Sequence, residues 1–174
     1  NKEISDVYVS SDDEDILNYS EKIGANKIKR PTNISGDTST AESALHHFCE
    51  LVDFDVLVFA QTTSPLTKPE DIRKGIEKYK TGKYDSVFSV NKEHWIPRWT
   101  KGLTPHAWNP ENRPRRQDVD ELYVENGAFY ITSKESLKRT GIRNGGKIGI
   151  IEMPLSRSFQ VDSKDDLELI SKII

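Results

Sequence analysis

DVLVFAQTTSPLTKPEDI, residues 55–72, joins an apolar run, a polar loop and a helix start. DVLVFA (55–60) is a nearly continuous apolar run, the kind of strand found where both faces of a sheet are covered. Gln61, Thr62, Thr63 and Ser64 then set four hydrogen-bonding side chains directly after it, and Pro65 fixes the turn. Thr67 with Glu70 reads as a capping box, and Pro69 suits a first helical turn. The helix so opened runs towards Tyr79 and stops near Gly82.

The same unit recurs on both sides. DVYVSS (6–11) is a β-branched and aromatic run, followed by a Ser11–Glu14 capping box and a helical face of Ile16, Leu17, Ser20 and Ile23 that stops at Gly24. Ser39 with Glu42 opens a helix through Phe48 and Leu51. SVFSV (86–90), GAFYI (127–131) and KIGIIEM (147–153) read as strands, with helices from Lys134 to Arg139 and from Lys164. Strands alternating with helices of about ten residues predict an α/β fold, with a mostly parallel sheet and helices on both faces. Ligands of such sheets sit beyond the carboxyl ends of the strands. That directs attention to Ser10–Asp13, Gln61–Ser64, Asn91 onward and Asp162.

Residues 91–122 break the rhythm. They hold all three tryptophans (Trp95, Trp99, Trp108), four prolines, and Arg113, Arg115 and Arg116 within four positions. An irregular stretch of that length inside a compact domain is a functional or partner surface, and its aromatic content points to a subunit interface. The arginines either pair with Asp118, Asp120 and Glu121 on a solvated turn or present planar forks to an anionic ligand. Asp162, before SKDDL, could cap the last helix or offer one carboxylate to Mg2+. The loop after residue 60 could equally be a polar lead-in to the next helix.

The composition sets outer limits. The 174 residues suit one domain, and 34% hydrophobic with 30% charged residues is not a disordered composition. A net charge of −3 argues against general nucleic-acid binding, which needs a large basic surface. No apolar run approaches the roughly 18 residues of a membrane span. The lone Cys49 forms no internal disulfide and fits a reducing, cytoplasmic compartment. It reads as a small core residue. His46 and His47 stand without partners at metal-ligand spacing.

Five stretches read together, VSSDDEDI, RPTNISGDTST, QTTSPLTKPEDI, RRQDVDELYVENGAFYI and MPLSRSFQVDSKDDLELI, resemble the acylneuraminate cytidylyltransferases. That family includes the CMP-sialic acid synthetases and their legionaminic and pseudaminic acid relatives. The resemblance covers nearly the whole chain. It implies a Rossmann-like nucleotide-diphospho-sugar transferase fold, a homodimer whose 91–122 insertion contributes to the partner's site, and a single domain spanning 1–174. The implied reaction joins CTP to an acidic nine-carbon sugar, with Mg2+ as cofactor and pyrophosphate as the second product. Carried residue by residue, Gln61 contacts the sugar and Arg116 binds its carboxylate. Tyr130 lines the sugar pocket, Arg30 contacts the nucleotide, and Asp162 is the metal ligand. Ser64, Arg115 and Asn126 complete the candidate substrate-binding set, and Ser39 and Thr40 the nucleotide-binding set. Asp162 and Arg116 are the candidate catalytic residues.

Three positions depart from the family pattern. Thr62 stands where proline is frequent, and Ala41 falls where a serine is expected, which passes base contacts to Ser39 or Thr40. Gln160 occupies the first place of a common pair of aspartates. The glycine- and lysine-rich loop that cradles the triphosphate in the family has no match here, and the chain begins with Asn1 and not methionine. The expectation is that this loop lies upstream and that the segment alone turns over poorly. Two other readings remain: a non-catalytic nucleotide-sugar binding fragment, and a nucleotidyltransferase of the same fold for another sugar.

Overall fold

The computed structural model describes residues 3–174. Among them eight strands and five α-helices run β1 (Tyr8–Ser11), α1 (Glu14–Lys22), β2 (Asn26–Lys29), α2 (Ala41–Leu51), β3 (Val56–Ala60), α3 (Pro69–Tyr79), β4 (Ser86–Lys92), β5 (Arg98–Trp99), β6 (Pro105–His106), β7 (Tyr123–Ser133), α4 (Lys134–Thr140), β8 (Ile148–Glu152) and α5 (Lys164–Ser171). The α/β class is as expected. The sheet, in contrast, is mixed. Its order is β3-β7-β4-β8, and β7 runs antiparallel to both neighbours, leaving β4–β8 as the parallel pairing. The expected mostly parallel sheet is therefore met only in part. The reason lies in the insertion. Glu93 N–H donates to Leu122 O at 2.7 Å, so the chain leaves β4 and returns beside it. Residues 93–122 form the loop of one long hairpin, and a hairpin return is antiparallel by construction. Strands β1 and β2 pair in parallel as a separate two-stranded sheet.

Helices cover both faces of the main sheet. On one side Ile76 of α3 joins Val87, Ala128, Phe129, Ile131, Ile151 and Met153 in one buried cluster. On the other, Leu45 and Cys49 of α2 and Leu137 of α4 pack with Phe54, Leu57 and Phe59. Cys49 is a buried core residue, and burial pushes its thiol pKa up. The small sheet is tied to α2 through an edge-on contact of Tyr8 and Phe48, with centroids 5.3 Å apart. The pattern did not announce β2, because NKIK carries two lysines and one apolar residue, Ile28, which alone is buried there.

Helix starts fall one or two residues from the expected caps. Asp13, not Ser11, caps α1 by accepting from Asp15 N–H at 2.8 Å and Ile16 N–H at 3.0 Å. Thr40, not Ser39, caps α2. At α3 the Thr67 hydroxyl turns back to Ser64 O, and Asp71 takes the Lys68 N–H instead. A carboxylate or hydroxyl at any of several adjacent positions satisfies the same orphan donors, so side-chain reach chooses among them.

Helix α3 approaches the sheet closely because Gly75 carries no side chain. A Cβ there would lie 2.7 Å from Phe129 Cε2 and 2.8 Å from Ile131 Cδ1. Gly75→Val is expected to lower the unfolding free energy by about 2 kcal/mol through overpacking, read from denaturant midpoints.

Candidate functional site

Strand β7 carries an irregularity where it passes β4. Phe88 pairs with Tyr130, but Val90 pairs with Glu125, so extra β7 residues bulge opposite Ser89. The bulge is buried, and side chains satisfy two of its amides. Phe129 N–H donates to Ser89 Oγ at 3.0 Å and Ala128 N–H to Asn126 Oδ1 at 3.2 Å. At its apex Gly127 adopts φ +67°. A Cβ there would collide with the Gln160 amide and lie 2.5 Å from Gln61 Oε1, so glycine alone lets the two side chains close over the backbone. A lone glycine inside a strand pattern is the sequence signal for such an approach, and neither Gly127 nor the structural place of Gln160 emerged from the motifs.

Around this apex the loops after β3 and β8 meet. Gln61 N–H donates to Ala128 O at 3.2 Å, continuing the ladder beyond β3. Gln160 Nε2 donates to Asn126 O at 2.6 Å, Asn126 Nδ2 to Ser158 Oγ at 3.0 Å, and Val161 N–H to Thr63 O at 2.8 Å. Gln61 and Ser64 line a hollow of about 310 Å³ with Ala60, Thr67, Ile72 and Ala128. Ser64 is buried, and its Oγ finds no partner among the described residues. Asp162 lies exposed at the end of the same loop. Its backbone N–H donates to Asp166 Oδ2, while Ser163 takes the capping role at α5. Among the described residues its own carboxylate accepts no hydrogen bond, so it is open to a ligand. Gln61, Ser64 and Asn126 thus meet the run that ends in Asp162 beyond β3 and β8, where a sheet of this class places ligands.

The remaining candidates lie elsewhere. Tyr130 is 3% exposed, with its ring between Phe59 and Phe88 at centroid distances of 6.2 and 5.8 Å. Its hydroxyl donates to Glu125 Oε2 at 2.9 Å, and the Arg143 guanidinium lies 4.6 Å from the ring centre. Burial, reinforced by Glu125, pushes its pKa up. It is a packed core residue and does not line the Gln61 hollow. The three arginines are divided. Arg113 lies over the Trp108 ring, 5.7 Å from its centre. Arg115 forks onto Asp118, with Nε donating at 2.6 Å and Nη2 at 2.9 Å. Arg116 is exposed, contacts His94, and lines a second hollow of about 330 Å³ with Lys92, Trp95, Val119 and Glu121. The two hollows share no lining residue, so Arg116 does not share the hollow lined by Gln61 and Ser64. Trp99 is 54% exposed and meets Trp108 edge-on at 5.1 Å. Arg30 follows β2, half-buried, with an unpartnered Nε. Ser39 is exposed, and the Thr40 hydroxyl is engaged as the α2 cap.

Among the described residues no group of three or more His, Cys, Asp or Glu side chains gathers as a metal site. One free carboxylate supplemented by substrate phosphates is nevertheless a sufficient donor set for Mg2+, which keeps few protein ligands in phosphate sites. Asp162 fits that arrangement. No helix in the described residues is long and apolar enough to cross a membrane.

Asp71 is the buried charge beneath this site, 3% exposed. Burial alone would raise its pKa, but the Arg157 guanidinium, the Lys68 N–H and nearby Lys74 outweigh it and hold the carboxyl below its ordinary range. Its folded-state pKa is therefore lower than its unfolded one. The stabilisation is present above the usual carboxylate value of about 4 and is lost as pH falls through the folded value. Asp71→Asn should cost about 3 kcal/mol at neutral pH and flatten the acid side of the stability–pH curve, read from denaturant midpoints across that range.

The family model described as cytidylyltransferase matches residues 1–172. The chain is 33% identical over 169 residues to the N-acylneuraminate cytidylyltransferase of Oncorhynchus mykiss, covering 92% of this chain and 38% of that protein. It is 28% identical over 183 residues to the CMP-N,N'-diacetyllegionaminic acid synthase of Legionella pneumophila, covering 97% and 78%. The fold is similar to that of a CMP:2-keto-3-deoxy-manno-octonic acid synthetase solved with CTP, at TM-score 0.67 and 12% identity over 98% of this chain and 80% of that one. The chain spans about two fifths of the length of the fish protein, 38%.

Proposed function

The chain belongs to the cytidylyltransferase family, and from that premise we propose that it transfers the cytidylyl group of CTP to an acidic nine-carbon sugar of the sialic, legionaminic or pseudaminic type. The observation that carries the reading is the meeting of Gln61, Asn126–Gly127 and Gln160 beside the free carboxylate of Asp162. In this reaction the anomeric hydroxyl of the sugar attacks the α-phosphorus of CTP, the bond to the bridging oxygen breaks, and pyrophosphate leaves. The protein's contribution is positioning and charge neutralisation. Gln61 and the unpartnered Ser64 hydroxyl orient sugar hydroxyls in their shared hollow. Asp162 would hold Mg2+, which supplies charge neutralisation on the phosphate oxygens. Arg30 and the loop ending in Ser39 and Thr40 form the nucleotide side.

Arg116 is the group for the sugar carboxylate, and it acts across a dimer. Its hollow is separate from the Gln61 hollow, and it sits on an insertion with an exposed Trp99. A twofold dimer that buries this insertion would bring Arg116 to the partner subunit's site, since an isologous interface exchanges the same surface both ways. Arg115, forked onto Asp118, holds the loop.

The deciding experiment incubates the protein, in its full natural length, with CTP, Mg2+ and a panel of sialic, legionaminic, pseudaminic and 3-deoxy-octulosonic acids, and measures CMP-sugar and pyrophosphate. Turnover of a nine-carbon acid is expected. Binding of CTP with no product from any acid would favour a non-catalytic binding protein. Arg116→Ala should weaken transition-state binding of the acid by about 2–5 kcal/mol, seen in kcat/KM. An unchanged value would point to a neutral sugar. Mixing Arg116→Ala with Asp162→Asn subunits should restore about a quarter of the parental rate through one intact site per mixed dimer. No recovery would place Arg116 in its own subunit's site or remove it from catalysis.

A further inference from the structure

The two loops that build the candidate site leave different strands, and one buried side chain meets both. Asp71 Oδ2 accepts from Lys68 N–H at 3.0 Å, which closes the Gln61 loop where it enters α3. The same carboxylate receives the fork of Arg157. Nη2 donates to Oδ1 at 2.9 Å, and Nη1 engages Oδ2. Arg157 opens the run that leads to Asp162, and its side chain is 23% exposed. Beyond it, Ser158, Gln160 and Val161 each make one bond to the Gln61 loop or the β7 bulge. Both partners of the ion pair stand outside the Gln61 hollow, and neither has a part in the reaction proposed above.

We propose that Asp71 and Arg157 are a positioning pair. They lock the run from residue 157 to Asp162 onto the Gln61 loop, so that the Asp162 carboxylate and the Gln160 amide are held in register with Gln61. Neither touches substrate. A guanidinium suits the task because its planar fork meets a carboxylate at two points and fixes direction as well as distance. Outer groups that orient a ligating carboxylate commonly matter almost as much as the ligand itself. For the identity of the reaction the pair rests on the functional reading above. The locking of the loops does not.

The test replaces both charges by an apolar pair of similar volume, Asp71→Leu with Arg157→Met. Buried ion pairs often tolerate that change with little loss of stability. Three readouts are compared with the parent: the thermal midpoint, amide hydrogen exchange over residues 61–68 and 157–163, and the Mg2+ dependence of CMP-sugar formation. The midpoint should stay within about 4 °C. Exchange at Val161 should quicken by about tenfold or more, and the Mg2+ concentration for half-maximal rate should rise by about 10–100-fold. Unchanged exchange at Val161 with a native midpoint would overturn the lock. Faster exchange with unchanged kinetics would reduce the pair to a structural clasp and also overturn the proposal. A parent that makes no CMP-sugar would sink the functional reading, while the exchange data would still decide whether the loops are locked. If the double variant fails to fold, Arg157→Lys, which keeps the charge and loses the fork, carries the same comparison.

Discussion

Strand β7 is buried from Asn126 through Thr132 and hydrogen-bonds to β3 on one side and β4 on the other. Everything that brings the site together depends on how this strand solves one constraint: buried backbone amides must find partners even where the ladder is interrupted. Ser89 and Asn126 supply those partners at the bulge. With the Ala128 and Phe129 amides satisfied by these side chains, the backbone at Gly127 lies under two glutamines instead of continuing the pleat. A regular strand would carry a Cβ at that point and hold the loops after β3 and β8 apart. The site is in this sense a consequence of a defect placed in the centre of the sheet, and bulges commonly sit next to functional sites for this reason.

Charge follows a similar division of labour. The chain has few buried charges, and the one at the base of the site, Asp71, is bonded on both oxygens by Arg157 and receives the Lys68 N–H as well. A buried pair of this kind contributes modestly to stability compared with a well-packed apolar pair, but it fixes direction. The three clustered arginines show how misleading proximity in sequence can be. One lies on a tryptophan, one is neutralised by Asp118, and one faces a hollow with His94. Arg113 and Arg116 both lack a carboxylate partner among the described residues, and of the two only Arg116 lines a hollow, which is what an anionic ligand requires.

A good part of this was legible in the sequence. The apolar run 55–60 indicated a strand covered on both faces, and Leu57 and Phe59 do pack on one face with α2 and α4 while Val58 packs on the other. Of the four polar residues after it, Gln61 and Ser64 line a hollow and Thr62 and Thr63 do not, and Ser163, not Asp162, caps α5. Tyr130 was less legible. The family resemblance implied that it lines the sugar pocket, whereas the ring packs between Phe59 and Phe88. The direction of β7 was hidden too, because a strand's residue pattern reports which faces are buried and not which way the chain runs.

Most of the elements, the sheet covered on both faces and the family resemblance could be read from short stretches of residues. These are local quantities: periodicity, turn chemistry and short motifs are written in neighbouring residues. Contacts across the fold set the antiparallel return of β7, the meeting of Gln61 and Gln160 over Gly127, and the pairing of Asp71 with Arg157. Each of these joins residues far apart in the chain. Such contacts are selected by burial and by hydrogen-bond satisfaction across the whole fold, and no stretch of sequence states them alone.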